Sequence, residues 1–211
     1  MPGRNRKVPE VVVRRLPAYL RVLEEIDVTE APIISSRELG GLTAVSPSQV
    51  RKDLTNFGVF GKQGVGYHVA PLRAELRRIL RLDAPVAVGL IGAGHLGLAI
   101  ARYDLERIRL YPGGTRIVAV FDSDPRKIGQ TVGRLPILDV AKLEKSIARL
   151  EIKIIILTVP AGAALALADR AVAAGVKALL NFAPAVLHAP AGVKLHSADV
   201  GSVLEALAYY A

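Results

Sequence analysis

The sequence predicts an α/β chain of two domains, a small helical one followed by a doubly wound parallel sheet. Three observations carry the prediction. Apolar, β-branched runs alternate with helical patterns only in the second part of the chain; the first part reads as helices with one pair of short β segments; and in "RLDAPVAV" an arginine-rich helix ends, Pro85 interrupts, and the first long strand begins. The expected domains are 1–84 and 85–211. With 211 residues, 51% of them apolar and 22% charged, the chain has material for two small cores.

Composition narrows the chemistry. Cysteine is absent, which excludes a disulfide scaffold, a thiolate metal site and a cysteine nucleophile, and four scattered histidines do not replace those ligands, so no metal is expected. The basic N-terminus lacks an uninterrupted apolar segment, and no run of about 18 apolar residues occurs, so a cytoplasmic protein that crosses no membrane is expected. The net charge of +9 divides into +5 over 1–84 and +4 over 85–211. It favours polyanionic partners without identifying one.

In the N-terminal part, helices are expected near 9–26, 36–42 and 47–57, followed by two β segments joined by "GKQGVG" and a helix near 71–81. Ser35 with Glu38 forms one capping box. Ser46, Pro47 at the first helical position, Gln49 and the terminal Gly58 mark the next helix, read as a second box. Two short helices so closely spaced make a helix-turn-helix whose second helix enters a DNA major groove. On that helix Val50, Leu54 and Phe57 face the core by their spacing, which leaves Ser48, Gln49, Arg51, Lys52 and Thr55 toward solvent. Arg and Lys suit guanine and Gln suits adenine, while the Ser46 cap and the helix N-terminus suit phosphates. The β pair would form a wing with Lys62 at its tip, and Arg15 is a further phosphate candidate.

After Pro85 the strands are read from "VAVGLIG", "TRIVAVFD", "PILD", "KIIILTVP", "KALLNFAP" and "VKLHSAD", and a last helix from "GSVLEALAYYA". Near-continuous apolar strands separated by helices indicate a parallel sheet covered on both faces. In "VGLIGAGHLGLAI" the spacing G-x-G-x-x-G follows a strand and opens a helix, as in the Rossmann dinucleotide fingerprint. Gly92 allows the turn, Gly94 the approach of pyrophosphate and Gly97 the packing of helix on strand; Ala93, His95 and Leu96 complete the loop. Asp122 ends the second strand, where a carboxylate accepts both ribose hydroxyls and repels a 2′-phosphate, selecting NAD over NADP. Asp124 is read as the cap of the next turn.

No catalytic residue is evident. No tyrosine has a lysine four residues later, about 50 residues follow "LTVP", too few for a substrate domain, and His188 and His196 stand alone. The nucleotide is therefore read as sensed and not consumed.

Taken in order, "KVPEVVVRRLPAYLRVLEEI", "QVRKDLTNFG", "GVGY", "IGAGHLG", "FDSDPRKIG", "LTVP" and "GVKALLNFAP" resemble the Rex family of redox-sensing transcriptional repressors over essentially the whole chain. The resemblance implies a homodimer with two winged helices on a double-stranded, pseudo-palindromic operator, and a C-terminal helix swapped between subunits. It implies NADH as the effector that releases DNA and NAD⁺ as the competing ligand. By position, Arg51 and Lys52 match base-contacting residues, Tyr103 the tyrosine beside the nicotinamide, and Arg21 and Asp199 a ligand-dependent link between domains. Three positions depart from the pattern: His95 and Gln63 stand where arginine is usual, and Val200 where phenylalanine is usual. The alternatives are an NAD-dependent oxidoreductase with an accessory basic domain, and a CoA- or nucleotide-binding module of similar strand pattern, against which Asp122 argues.

Overall fold

The structure is a computed structural model that describes residues 8–58, 61–62, 64–110 and 113–211. The chain divides into two compact units, Met1–Asp83 and Ala84–Ala211, one residue from the expected boundary.

The first unit opens with α1 (Glu10–Glu25), whose buried residues Val12, Leu16, Tyr19, Leu20 and Leu23 recur at helical spacing. A two-residue strand that the sequence pattern did not reveal, β1 (Ile33–Ile34), leads into α2 (Ser36–Thr43) and α3 (Pro47–Thr55). The capping box of α2 is complete, with Ser35 Oγ accepting from the Glu38 backbone and the Glu38 carboxylate accepting from the Ser35 backbone. At α3 only half of the expected box exists. Ser46 Oγ accepts from the Gln49 backbone, but the Gln49 side chain reaches forward to Asp53 and not back to Ser46.

The strand after the glycine-rich turn, β2 (Tyr67–His68), pairs antiparallel with β1, and α4 (Val69–Ile79) starts two residues before the expected helix. The turn itself is closed by Lys62 and Gly66, each of which donates its backbone N–H to the other's carbonyl at 2.9 Å. Lys62 is thus at the base of the turn, where the sequence placed it at the tip. Gln63 and the residues 59–60 of the first expected β segment lie outside the described residues. Leu16, Tyr19, Leu39, Val50, Leu54 and Leu76 form the core of this unit, with Phe57 packed at its margin.

In the second unit the expected strands appear as β3 (Val86–Ile91), β4 (Thr115–Asp122), β6 (Leu135–Asp139), β7 (Ile154–Leu157), β8 (Ala178–Asn181) and β9 (Lys194–Ser197). A short β5 (Thr131–Val132) pairs antiparallel with β6 at the edge. Across the sheet the order is β5-β6-β4-β3-β7-β8-β9, so the six parallel strands stand in the doubly wound order 3-2-1-4-5-6, with the switch point between β3 and β7. Alternate residues feed two cores. Val88, Leu90, Val120 and Ile156 pack with Ala101 of α5 (His95–Leu110) on one face. Phe121, Ile155 and Leu157 pack on the other with α6 (Leu143–Arg149) and α7 (Ala161–Ala173). The side chains that α7 buries are all alanine, which lets that helix lie close to the strands. The chain ends in α8 (Val200–Ala208), none of whose residues is buried. Among the described residues no helix is long and apolar enough to cross a membrane.

Helix α5 starts at the switch point only because Gly97 has no side chain: a Cβ there would stand 1.9 Å from the Gly92 carbonyl oxygen. Backbone must move to admit it. Gly97→Ala is expected to lower the unfolding free energy of this unit by about 1–3 kcal/mol, the range for overpacking a tight contact. Urea denaturation followed by circular dichroism reads the loss.

Candidate functional site

Two sites take shape, one in each unit. In the second, the turn from β3 to α5 is built as the glycine spacing requires. Gly92 has φ of +104°, and a Cβ on it would stand 2.5 Å from the Thr158 carbonyl. A Cβ on Gly94 would meet nothing within 4 Å, so the loop is open to a ligand at this residue. Thr158, at the end of β7 in "LTVP", supports the loop from below: its hydroxyl donates to the Gly92 carbonyl at 2.8 Å and to that of Ile91 at 3.1 Å. The sequence reading did not single this threonine out.

Asp122, at the end of β4, is buried and reaches across to the same loop. Its Oδ2 accepts from the Ala93 backbone at 2.7 Å and from Lys127 Nζ at 3.1 Å, and its Oδ1 accepts from the Asp124 backbone at 2.8 Å. Burial alone would raise its pKa, but the Asp124 and Ala93 N–H groups and the Lys127 ammonium outweigh burial and hold it below the usual carboxylate value. Lys127, within "FDSDPRKIG", is a second residue at this site that the glycine spacing and Asp122 do not reveal. Asp124 accepts from the Arg126 backbone and side chain, as expected of a turn cap.

These groups line a cleft of about 480 Å³ at the carboxyl ends of the strands, bounded by Gly92, Gly94, Asp122, Lys127, Thr158 and Pro160. His95, the first residue of α5, and Leu96 beside it are exposed. Tyr103, two turns along α5, is 62% exposed. The sequence placed Ala93, Asp122 and the three glycines together, and the structure does the same.

In the first unit, α3 presents Ser46, Ser48, Arg51, Lys52 and Thr55 on its exposed side. Arg51 donates to the Ser36 hydroxyl at 2.7 Å, which lays its guanidinium along the start of α2. Ser36, Arg51, Thr55, Lys62, Val65 and Tyr67 surround a concavity of about 630 Å³ between α3 and the glycine turn.

Two expected DNA contacts are placed differently. Arg15 is half-buried and donates through Nε at 2.6 Å and Nη2 at 2.8 Å to both oxygens of Asp53. Gln49 is half-buried too, with its amide on Asp53 at 2.7 Å. The physical reason is the same for both: Asp53 has no solvent exposure, and a carboxylate out of water draws in whatever donors lie within reach. The sequence reading omitted Asp53, although its place one turn after Gln49 was a signal.

Arg21 is exposed on α1. Asp199 is exposed as well and serves as the N-cap of α8, accepting from the Ser202 backbone at 3.2 Å and from the Ser202 hydroxyl. Those bonds hold its pKa below the ordinary value.

With this geometry in hand, the relatives are informative. Residues 7–55 match the family described as "Putative DNA-binding protein N-terminus", and residues 83–185 match the family described as "CoA binding domain". The redox-sensing transcriptional repressor Rex of Brevibacillus brevis is 44% identical over 208 residues, which is 99% of either chain. The same-named protein of Chloroflexus aurantiacus is 46% identical over 202 residues, covering 96% of this chain and 93% of its own. Among solved structures, a Rex-family repressor called RSP, in complex with beta-NAD⁺ and operator DNA, is 41% identical with a TM-score of 0.85, over 96% of this chain and 92% of that one. RSP in complex with beta-NADH is 39% identical with a TM-score of 0.81, over 97% and 94%. Relatives that match the chain end to end leave the oxidoreductase alternative without support: the chain belongs to the Rex family of redox-sensing transcriptional repressors, regulators and not enzymes.

Proposed function

We propose that this protein, as a homodimer, binds a palindromic operator while NADH is scarce and leaves it when NADH fills the cleft at the β3–β7 switch point. The observation that supports this most is that one relative, 41% identical, was crystallised with NAD⁺ and operator DNA together, and again with NADH. Sheltering an apolar helix supports the dimer: α8 exposes Val203, Leu204 and Leu207, which no other part of the described chain covers, and a second copy is the partner at hand.

The residues fit a dinucleotide. Pyrophosphate would pass Gly94 and lie at the start of α5, where backbone N–H groups and the helix dipole favour an anion. Asp122 would take the adenosine ribose. A carboxylate offers about four acceptor positions; three are in use, and a diol needs two. Lys127 would therefore yield one, turning its ammonium toward the ribose oxygens. The nicotinamide would reach toward Tyr103 and Asp199, with Arg21 linking the units. The oxidised ring is a cation and the reduced ring is neutral, so a pocket closed by a partner's apolar helix disfavours NAD⁺ by desolvation.

On the DNA side, Ser48, Arg51, Lys52 and Thr55 would meet the major groove, with Ser46 and Lys62 on phosphates.

The test is an anisotropy titration on a palindromic duplex library at fixed salt with no ligand, NAD⁺, NADH or NADPH. Release by NADH at concentrations where NAD⁺ and NADPH release nothing is expected; specific DNA binding indifferent to all three overturns the reading. Gly94→Ala, whose methyl has room in the free protein, is expected to stay folded and to bind the duplex but to lose NADH-driven release at least tenfold. In the same assay Tyr103→Phe and Asp199→Ala bind DNA as the parent does and respond weakly to NADH; full responses from both would remove them from the switch. Lys52→Ala is expected to lose discrimination between operator and scrambled DNA. Lys62→Ala weakens both duplexes alike and lowers the salt slope by about one, as the loss of a single phosphate contact requires.

A further inference from the structure

The network around Asp53 has more to do than stabilise a fold. Asp53 is completely buried on α3, and its carboxylate accepts four hydrogen bonds, from Arg15 Nε at 2.6 Å and Nη2 at 2.8 Å, the Tyr19 hydroxyl at 2.8 Å, and Gln49 Nε2 at 2.7 Å. Arg15 and Tyr19 belong to α1, and Gln49 stands one turn earlier on α3 itself.

We propose that Asp53 is a positioning residue for operator recognition, locking α3 to α1 and drawing Gln49 and Arg15 inward so that base reading falls to Ser48, Arg51, Lys52 and Thr55. The proposal rests on the reading of α3 as the DNA-contacting helix. Val50 and Leu54 already fix which side of α3 is buried, but apolar contacts are not directional and leave the helix free to roll and slide. A two-pronged Arg–carboxylate pair with a phenol on the same oxygen removes that freedom, because each bond has a preferred line of approach. Stability alone does not call for it. Replacing a buried ion pair with well-packed apolar groups is often neutral or stabilising, so what the pair supplies is orientation.

The electrostatics point the same way. Burial would push Asp53 up, but the bonds from Arg15, Gln49 and Tyr19 outweigh it and keep the carboxylate ionised at neutral pH. Burial, helped by the bond to Asp53, raises the Tyr19 phenol, which therefore remains a donor. Arg15 is thereby paired and half-buried, its charge offset by Asp53, which weakens the attraction it would exert on any DNA phosphate regardless of sequence. Specificity, as the ratio of operator to random binding, gains from that loss.

The experiment uses the full-length protein and two duplexes of equal length, one selected by the wild type from a palindromic library and one scrambled. Anisotropy titrations over a series of salt concentrations compare wild type, Asp53→Asn, Tyr19→Phe and Gln49→Ala, with circular dichroism as the check on folding. Asp53→Asn is expected to bind the selected duplex at least tenfold more weakly and the scrambled duplex as well as or better than wild type, with a salt slope steeper by up to about one as Arg15 is freed. Gln49→Ala is expected to weaken the selected duplex several-fold without changing the ranking of single-base variants of it. Equal losses on both duplexes, or undiminished discrimination, by Asp53→Asn would overturn the proposal, as would a Gln49→Ala protein that loses preference at one base pair. If Asp53→Asn fails to fold, Tyr19→Phe and Gln49→Ala decide: discrimination reduced in either sustains the proposal and discrimination kept by both overturns it. A wild type that selects no duplex overturns the function proposed above and this assignment with it, whereas selection by wild type and by Asp53→Asn alike overturns this assignment alone.

Discussion

A carboxylate taken out of water must be met by donors or give up its charge, and one such group anchors a helix or the loop before it in each unit. Asp53 ties α3 to α1 through Arg15 and Tyr19. Asp122 ties the loop before α5 to the end of β4 through the Ala93 N–H. In both, the acceptor comes from one element and donors come from another, so the bond sets a direction that the surrounding aliphatic contacts cannot set. The glycine loop shows the dependence most plainly. Gly92 and Gly97 let α5 approach the strand, Thr158 holds the loop's carbonyls, and Asp122 fixes its outer amide, leaving Gly94 as the part that faces open space.

Most of this framework could be read from residues alone, because its causes are local. Near-continuous apolar, β-branched runs located the parallel strands and helical spacing most of the helices, and Ser35 and Ser46 marked helix starts through bonds that span only three residues. Gly92, Gly94 and Gly97 were legible since each answers a steric demand that only glycine meets. What escaped was decided by partners distant in sequence. The role of Asp53 depends on residues 38 and 34 positions away, and once buried it has a stronger claim on the Gln49 side chain than the Ser46 backbone does. Arg15 looked like a surface cation for the same reason. Strand β1 is too short for any pattern, and exists because Ile33 and Ile34 find His68 and Tyr67 opposite.

Helix α8 poses a different problem. A helix of nine residues is marginal in water by itself, and most helical stability comes from burying an apolar face. Here Val203, Leu204 and Leu207 form that face and are exposed in the single chain. Its N-cap, Asp199, gives one acceptor position on each oxygen to Ser202, which leaves capacity for a further donor without breaking the cap. In the proposed reading this matters. A switch aspartate that had to unwind its own helix to act would couple sensing to local unfolding, whereas one with spare acceptor positions can gain or lose a contact while the helix stays intact.

Redox sense must arise at the nicotinamide end. The glycine loop, Asp122 and Lys127 would hold the adenosine and pyrophosphate half, which is identical in NADH and NAD⁺. Interactions with that half raise the affinity for both forms equally, and a ligand with equal affinity for two conformations shifts nothing. Moving a dimer from 1:99 to 99:1 between open and closed forms takes about 5.5 kcal/mol of differential binding. That difference has to come from the end of the molecule where a cation becomes neutral, and from groups whose surroundings change on closure. Tyr103 is largely exposed and α8 is uncovered, so in the proposed reading the free chain holds in reserve the apolar surface and the hydroxyl that closure would bring against the ring. In that reading the adenosine subsite would set how much dinucleotide is bound, and the nicotinamide end what binding does to the DNA.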